Sequence, residues 1–313
     1  MHPGLVLITL LTVVQALASP EPGMAYAVSA AAAGSGGVSP GLLVTISLPA
    51  DAPAGRLTLI MPRAIPMGYG HQPYDEFVRV TGARSRSGAV GAVTRGDGPR
   101  WSIESTRPDD PVARIDYEVD LLAMEGTVLA GGDSSRSRDG YLSLLGYSIF
   151  AYVEGLEDRP IDVSVVPPPN RADWPILSTL DPRAPAQAGP LKARARDFYG
   201  LADSQFLMGP GFKVRKLKGA PDLFLAVRAE GAGDLEAMAP LAEQAFEAMV
   251  SYFGSAPFPH YTLIFEYLTP LSARHTYGFS MEHMESATFG ALSTAGLTAR
   301  STDRERASFR YNV

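Results

Sequence analysis

The feature that most constrains this chain is a change of hydrophobic period along its length. Up to about Val166 the apolar residues fall in short runs that alternate in steps of two. Beyond a Pro/Ala-rich stretch at Pro182 to Pro190, a long segment repeats in steps of three and four. A step of two sends successive side chains to opposite faces of a strand, whereas steps of three and four keep them on one side of a helix. Leu42 to Leu48 (LLVTISL), Leu57 to Met61 (LTLIM), Arg114 to Leu121 (RIDYEVDL) and Ile161 to Val166 (IDVSVV) therefore read as strands, with Ile115, Tyr117, Val119 and Leu121 on one face. Gly55 and Pro62 bound the second run, and Pro167-Pro168-Pro169 closes the fourth. Several short strands punctuated in this way predict an antiparallel sandwich or saddle-shaped sheet. Gly82 to Arg100 and Gly131 to Gly140 (GGDSSRSRDG) carry no apolar period and read as exposed loops. Asp133 and Asp139 in the second of these match no calcium-loop spacing.

After Pro190 the signals mix. Phe212 to Leu217, Leu223 to Val227 and Tyr261 to Tyr267 (YTLIFEY) read as strands. Between them Met238, Leu241, Ala242, Ala245, Phe246, Met249, Val250 and Phe253 recur at helical spacing. Asp234 suits an N-cap and Gly254 a helix stop. Pro240 lacks the amide hydrogen that a helix interior uses, so the continuous helix is expected to begin near it, with Leu235 to Ala239 as a preceding turn. Lys213, Arg215, Lys216 and Lys218 are interrupted by Val214 and Leu217 and read as the exposed side of a strand. The expected class is α+β, with a β-rich unit over 24–190 and a mixed unit over 191–313.

With 313 residues, 46% hydrophobic and 19% charged, the chain can build a sizeable core. A net charge of −6 without a basic face argues against a nucleic-acid partner. The absence of cysteine excludes disulfides, thiolate metal sites and a cysteine nucleophile. Leu5 to Ala18 is a short apolar run ending Ala16-Leu17-Ala18, which predicts a signal peptide over 1–18 and a secreted or periplasmic location. It is too short to span a bilayer, and no other stretch reads as a membrane span. The Gly-rich sites match neither a phosphate-binding loop nor a dinucleotide fingerprint. None of His2, His71, His260, His275 and His283 forms a His-x-x-x-His pair.

One set of short motifs runs in order through nearly the whole chain, from Met24 to Val313. Leu57 to Pro62 is followed by Gly68-Tyr69-Gly70, then by Tyr74-Asp75-Glu76-Phe77-Val78-Arg79, Trp101 and Asp116-Tyr117-Glu118-Val119. Gly140-Tyr141-Leu142-Ser143, Pro167 to Trp174 and Leu201-Ala202-Asp203-Ser204 come next. Phe253-Gly254 with Pro257-Phe258 and Tyr261, and finally Met281-Glu282-His283 with Ser286, complete the series. In this order they resemble the glycyl aminopeptidase (M61) family of zinc metallopeptidases. The resemblance implies an amino-terminal β domain over 24–190 and the start of a thermolysin-like (gluzincin) catalytic domain over 191–313. Together these would form the front portion of an exported aminopeptidase that hydrolyses peptides from a free N-terminus.

It also implies a substrate site. In such enzymes an edge strand pairs with the peptide backbone and its glutamate holds the substrate's α-ammonium. By position Glu282 would be that anchor, Ser280 and Met281 would give backbone contacts, and His283 would fill the family's position after the glutamate. Phe279 and Ser280 stand where the family pattern usually carries two glycines. The implied cofactor is zinc, held by two histidines and an acidic residue expected beyond residue 313. These 313 residues are therefore expected neither to bind catalytic zinc nor to hydrolyse peptides. The implied partner is a peptide with a free N-terminus. The alternative is a non-catalytic peptide- or glycan-binding β-module of the cell envelope.

Overall fold

A computed structural model of the chain describes residues 23–34, 37–64, 70–180 and 186–313. The expected signal peptide, His2, the Gly68-Tyr69 pair and Pro182 to Pro185 lie outside the described residues. The strands in chain order are β1 (Met24–Ala30), β2 (Gly41–Ser47), β3 (Arg56–Ile60), β4 (Val78–Ser85), β5 (Ala92–Arg95), β6 (Arg100–Glu104) and β7 (Val112–Asp120). Then come β8 (Arg136–Arg138), β9 (Tyr141–Leu145), β10 (Tyr152–Val153), β11 (Ile161–Val166), β12 (Pro175–Ser178), β13 (Gln187–Ala188) and β14 (Leu191–Ala195). The last are β15 (Gln205–Met208), β16 (Phe212–Leu217), β17 (Asp222–Ala229), β18 (His260–Leu268), β19 (Phe279–Glu282) and β20 (Ser286–Leu292). The helices are α1 (Leu121–Thr127), α2 (Gly146–Ile149), α3 (Phe198–Asp203), α4 (Leu235–Phe253) and α5 (Asp303–Asn312).

The protein is mostly β, and its described residues form four sheets. The first has the order β14-β11-β1-β2-β7-β4 and the second β10-β3-β6-β5. Along β7 the alternation does what the sequence predicts: Ile115, Tyr117 and Val119 are buried while their neighbours are more exposed. Removing each such side chain from water is worth about 1.5–3 kcal/mol. The two sheets share one apolar core with the third, which runs β13-β12-β15-β9-β8. The first sheet is antiparallel except that β1 pairs parallel with β11, from Met24 opposite Ile161 onward. The sequence predicts a purely antiparallel arrangement because alternation reports faces and is blind to strand direction.

The fourth sheet, β16-β17-β18-β20-β19, is mixed: β17, β18 and β20 are parallel, and the outer strands β16 and β19 are antiparallel to their neighbours. Both faces are covered. Leu225, Val227, Leu263 and Phe265 pack with Met238, Ala242 and Phe309 from α4 and α5. Ala226 and Ile264, on the opposite face, meet Leu177 and Leu207 of the third sheet. Burial on two faces explains why YTLIFEY is almost continuously apolar.

Three further expectations change. Gly82 to Arg100 is not a loop but holds the end of β4, all of β5 and the start of β6. These strands are polar on exposed faces, so no apolar period marks them. Gly131 to Gly140 is not exposed throughout either: Ser134 through Arg138 are buried, and Arg136–Arg138 form β8. Finally, α4 runs unbroken from Leu235 through Pro240. Pro240 lies in the second turn, where its ring forfeits a single bond, to the Glu236 carbonyl, and the packed face of Met238, Leu241 and Ala242 outweighs that loss. The Asp234 cap and the left-handed Gly254 at the other end stand as predicted.

Candidate functional site

The candidate residues lie on β19, the outermost strand of the fourth sheet. His283 donates its backbone N–H to the Ser286 carbonyl at 2.8 Å, closing the β19–β20 hairpin. Antiparallel strands alternate hydrogen-bonded and non-hydrogen-bonded pairs. With His283–Ser286 bonded, the main-chain groups of Met281 face β20, and those of Ser280 and Glu282 face the open edge. The register pairs Ser280 with Phe289 and Glu282 with Ala287, residues of the helix-covered face. Ser280 and Glu282 are exposed on that side, while Met281 and His283 are buried on the other. Two of the candidates are thus presented to solvent and two are structural anchors.

Beside Ser280 lies an open cleft of about 480 Å³, roofed by α5 and lined by Phe265, Tyr267, Phe289, Glu305 and Phe309. Phe279 turns the other way. Its ring covers Gly290, where a Cβ would come within 2.0 Å of it, and Gly132, at 2.7 Å. This is why both of those positions are glycine. At the other end of the strand, burial, then the charges of Glu282 and Asp203, push the Tyr261 hydroxyl up to about 12.

The anchored residues reach across to the amino-terminal sheets. Met281 belongs to the core shared by the first three sheets, and its Sδ lies 3.0 Å from the Tyr147 hydroxyl. His283 stacks on the Tyr147 ring at 6.3 Å between centroids. Its Nδ1 lies 3.0 Å from Asp203 Oδ1, a carboxylate oxygen that accepts, so the proton of that contact sits on Nδ1. The other ring nitrogen, Nε2, is buried without a partner among the described residues. Before the strand, the Tyr277 hydroxyl accepts from Arg138 at 2.5 Å and donates to Glu125 at 3.1 Å. Burial first, then the Glu125 charge, pushes that hydroxyl up to about 12.

Under the strand lies a buried ion pair. Arg136 of β8 and Glu266 of β18 meet at 2.5 Å with neither side chain exposed, and Tyr141 donates to the same carboxylate at 2.9 Å. Sequence reasoning places Glu266 in the Tyr261 to Tyr267 strand and leaves Arg136 in a loop. The only sequence signal for the arginines is the alternation Ser-Arg-Ser-Arg within a polar run.

The remaining described histidines stay apart. His275 bonds Ser272 and the Glu125 carbonyl, and His260 faces Glu285 at 3.2 Å. Among the described residues no three His, Asp or Glu side chains converge as a metal-binding group. The described residues thus present no ligand set that fits the zinc implied by the resemblance.

A sequence profile of the peptidase M61 N-terminal domain matches residues 40–210. The chain belongs to the peptidase M61 N-terminal domain family. No curated protein sequence matches this M61 chain. Among solved structures, it is similar to an aminopeptidase N family protein from Idiomarina loihiensis, with a TM-score of 0.75 and 19% identity. That match covers 91% of this chain and 45% of the other. It is also similar to a mutant of the M1 zinc metallopeptidase from Deinococcus radiodurans, with a TM-score of 0.50 and 14% identity, covering 92% and 62% of the two chains. At these identities the likeness is one of fold. The M61 chain spans less than two thirds of either relative's length.

Proposed function

We propose that this chain supplies the amine-anchoring edge of an exported M61-type zinc aminopeptidase. A peptide with a free N-terminus adds along β19, its α-ammonium on Glu282 and its backbone on the outward groups of Ser280 and Glu282. The observation that carries this reading is the exposure of Glu282 on an outer strand whose flanking residues, Met281 and His283, are buried. A charge-assisted bond of this kind contributes about 1.5–3 kcal/mol, roughly a tenfold to 150-fold effect on affinity.

Residues 24–190 are read as the M61-type amino-terminal domain and 191–313 as the opening of a thermolysin-like catalytic domain. The mixed fourth sheet with α4 and α5 on one face supports the second assignment. β14 and β15, both after residue 190, join the first and third sheets. Export rests on the Leu5 to Ala18 run alone. On this reading the chain by itself binds peptides without hydrolysing them, and chelator-sensitive turnover by the purified chain would overturn that part.

The test is calorimetric titration with trialanine and its N-acetylated form. The wild type should prefer the free amine by about tenfold or more, and Glu282→Gln should remove the preference. Equal affinities in the wild type, or an unchanged preference in the variant, would sink the proposal.

A further inference from the structure

We propose that Asp203 is the positioning residue of this anchor: from the amino-terminal sheets' side, its carboxylate grips the two residues after Glu282 and so fixes the direction in which Glu282 faces the edge. The inference rests on the reading of Glu282 given above.

A two-stranded hairpin at the edge of a sheet has only one neighbour to hold it, and such elements open most easily. β19 has four residues and, among the described residues, pairs only with β20. Something else must therefore hold Glu282 if it is to present a carboxylate in one direction. Asp203 stands at the end of α3 and uses both oxygens on the hairpin. Oδ1 accepts from His283 Nδ1 at 3.0 Å, and Oδ2 accepts from the Met284 backbone N–H at 2.8 Å. The first bond fixes a side chain that is 1% exposed, and the second fixes the main chain one residue further on. Two bonds from one rigid carboxylate define an orientation as well as a distance.

On the other side of Glu282, Met281 is held in the shared core against Tyr147. The Tyr147 ring also backs His283. Glu282 is thus the exposed residue between two that are pinned by groups outside their own sheet, and its direction follows from theirs. Without Asp203, His283 would be left buried with neither ring nitrogen partnered, since Nε2 already has none among the described residues. That arrangement is costly enough to expel the ring and release the turn that carries Glu282. Asp203 acts through His283 and Met284.

The experiment measures the ratio of affinities for trialanine and N-acetyl-trialanine on the full chain, for wild type, Asp203→Ala and Asp203→Asn. Expected is a fall of the free-amine preference by fivefold or more in Asp203→Ala, with the affinity for the acetylated peptide changing less than twofold. Asp203→Asn keeps a carbonyl acceptor for one of the two donors and should retain part of the preference. A merely structural brace would lower both affinities together. Should Asp203→Ala not fold, as judged by circular dichroism, Asp203→Asn decides the matter. Wild-type discrimination that survives unchanged in the folded variants overturns the role of Asp203. Absence of discrimination in the wild type overturns the reading of Glu282 itself.

Discussion

Glu266 accepts from Arg136 and Tyr141 where no solvent reaches any of the three. Replacing one member of a buried pair leaves the other charge unmatched, so Glu266→Gln should lower the unfolding free energy by about 3–5 kcal/mol, read from urea midpoints. Exchanging both for apolar residues, Arg136→Met with Glu266→Leu, should cost less than that single change. Asp110 behaves differently. The hydroxyls of Ser85 and Ser87, each at 2.5 Å, hold it down at about 2. Because the folded pKa lies below the unfolded one, this group's stabilisation is complete above roughly pH 4. It is lost as the pH falls towards 2. Asp110→Asn should therefore unfold at lower urea than wild type at pH 6, and the difference should vanish by pH 2. The sequence shows which residues could be charged but not which charges are buried. Arg136 and Glu266 are 130 positions apart, and Gly-Gly-Asp-Ser-Ser gives no hint that a sheet covers the next arginine. Glu282 is legible as a candidate because its neighbours form a motif, whereas Asp203 lies in another motif, 79 positions earlier, with no visible link to it.

Local signals are read well where the chemistry is local. Asp234 and Gly254 bound α4 because a cap and a left-handed stop depend only on residues within reach of one turn. The unbroken passage through Pro240 depends on tertiary packing, which the helix's own sequence does not display. Pro240→Ala should restore a bond to the Glu236 carbonyl and remove a ring clash, raising stability by about 1–3 kcal/mol in thermal unfolding. The β19–β20 pair makes a sharper demand. Gly290→Ala should destabilise the fold by about 1–3 kcal/mol, since its new methyl falls on the Phe279 ring. Adding Phe279→Ala to that variant should cost less than the sum of the two single changes. The far half of α4 leaves Met249, Tyr252 and Phe253 exposed. Exposed apolar surface of this kind promotes association, so replacing all three by serine should reduce self-association in sedimentation experiments.

At the scale of the whole molecule, the four sheets are joined by more than chain connectivity. The contact of Leu177 and Leu207 with Ala226 and Ile264, the Arg136–Glu266 pair and the seating of Met281 all cross between the third and fourth sheets or their surroundings. Calorimetry should show one cooperative transition, and Leu207→Ala, at the crossing, should shift the whole of it. The strand at Met24–Ala30 adds a temporal consequence. It is an interior member of the first sheet, between Gly41–Ser47 on one side and Ile161–Val166 on the other. Synthesis proceeds from the amino terminus, so this strand must wait for a partner, Ile161–Val166, that leaves the ribosome long after it. Until that partner arrives, one hydrogen-bonding edge of a largely apolar strand stays open, which makes the nascent protein a client for whatever shields unpaired strands during synthesis.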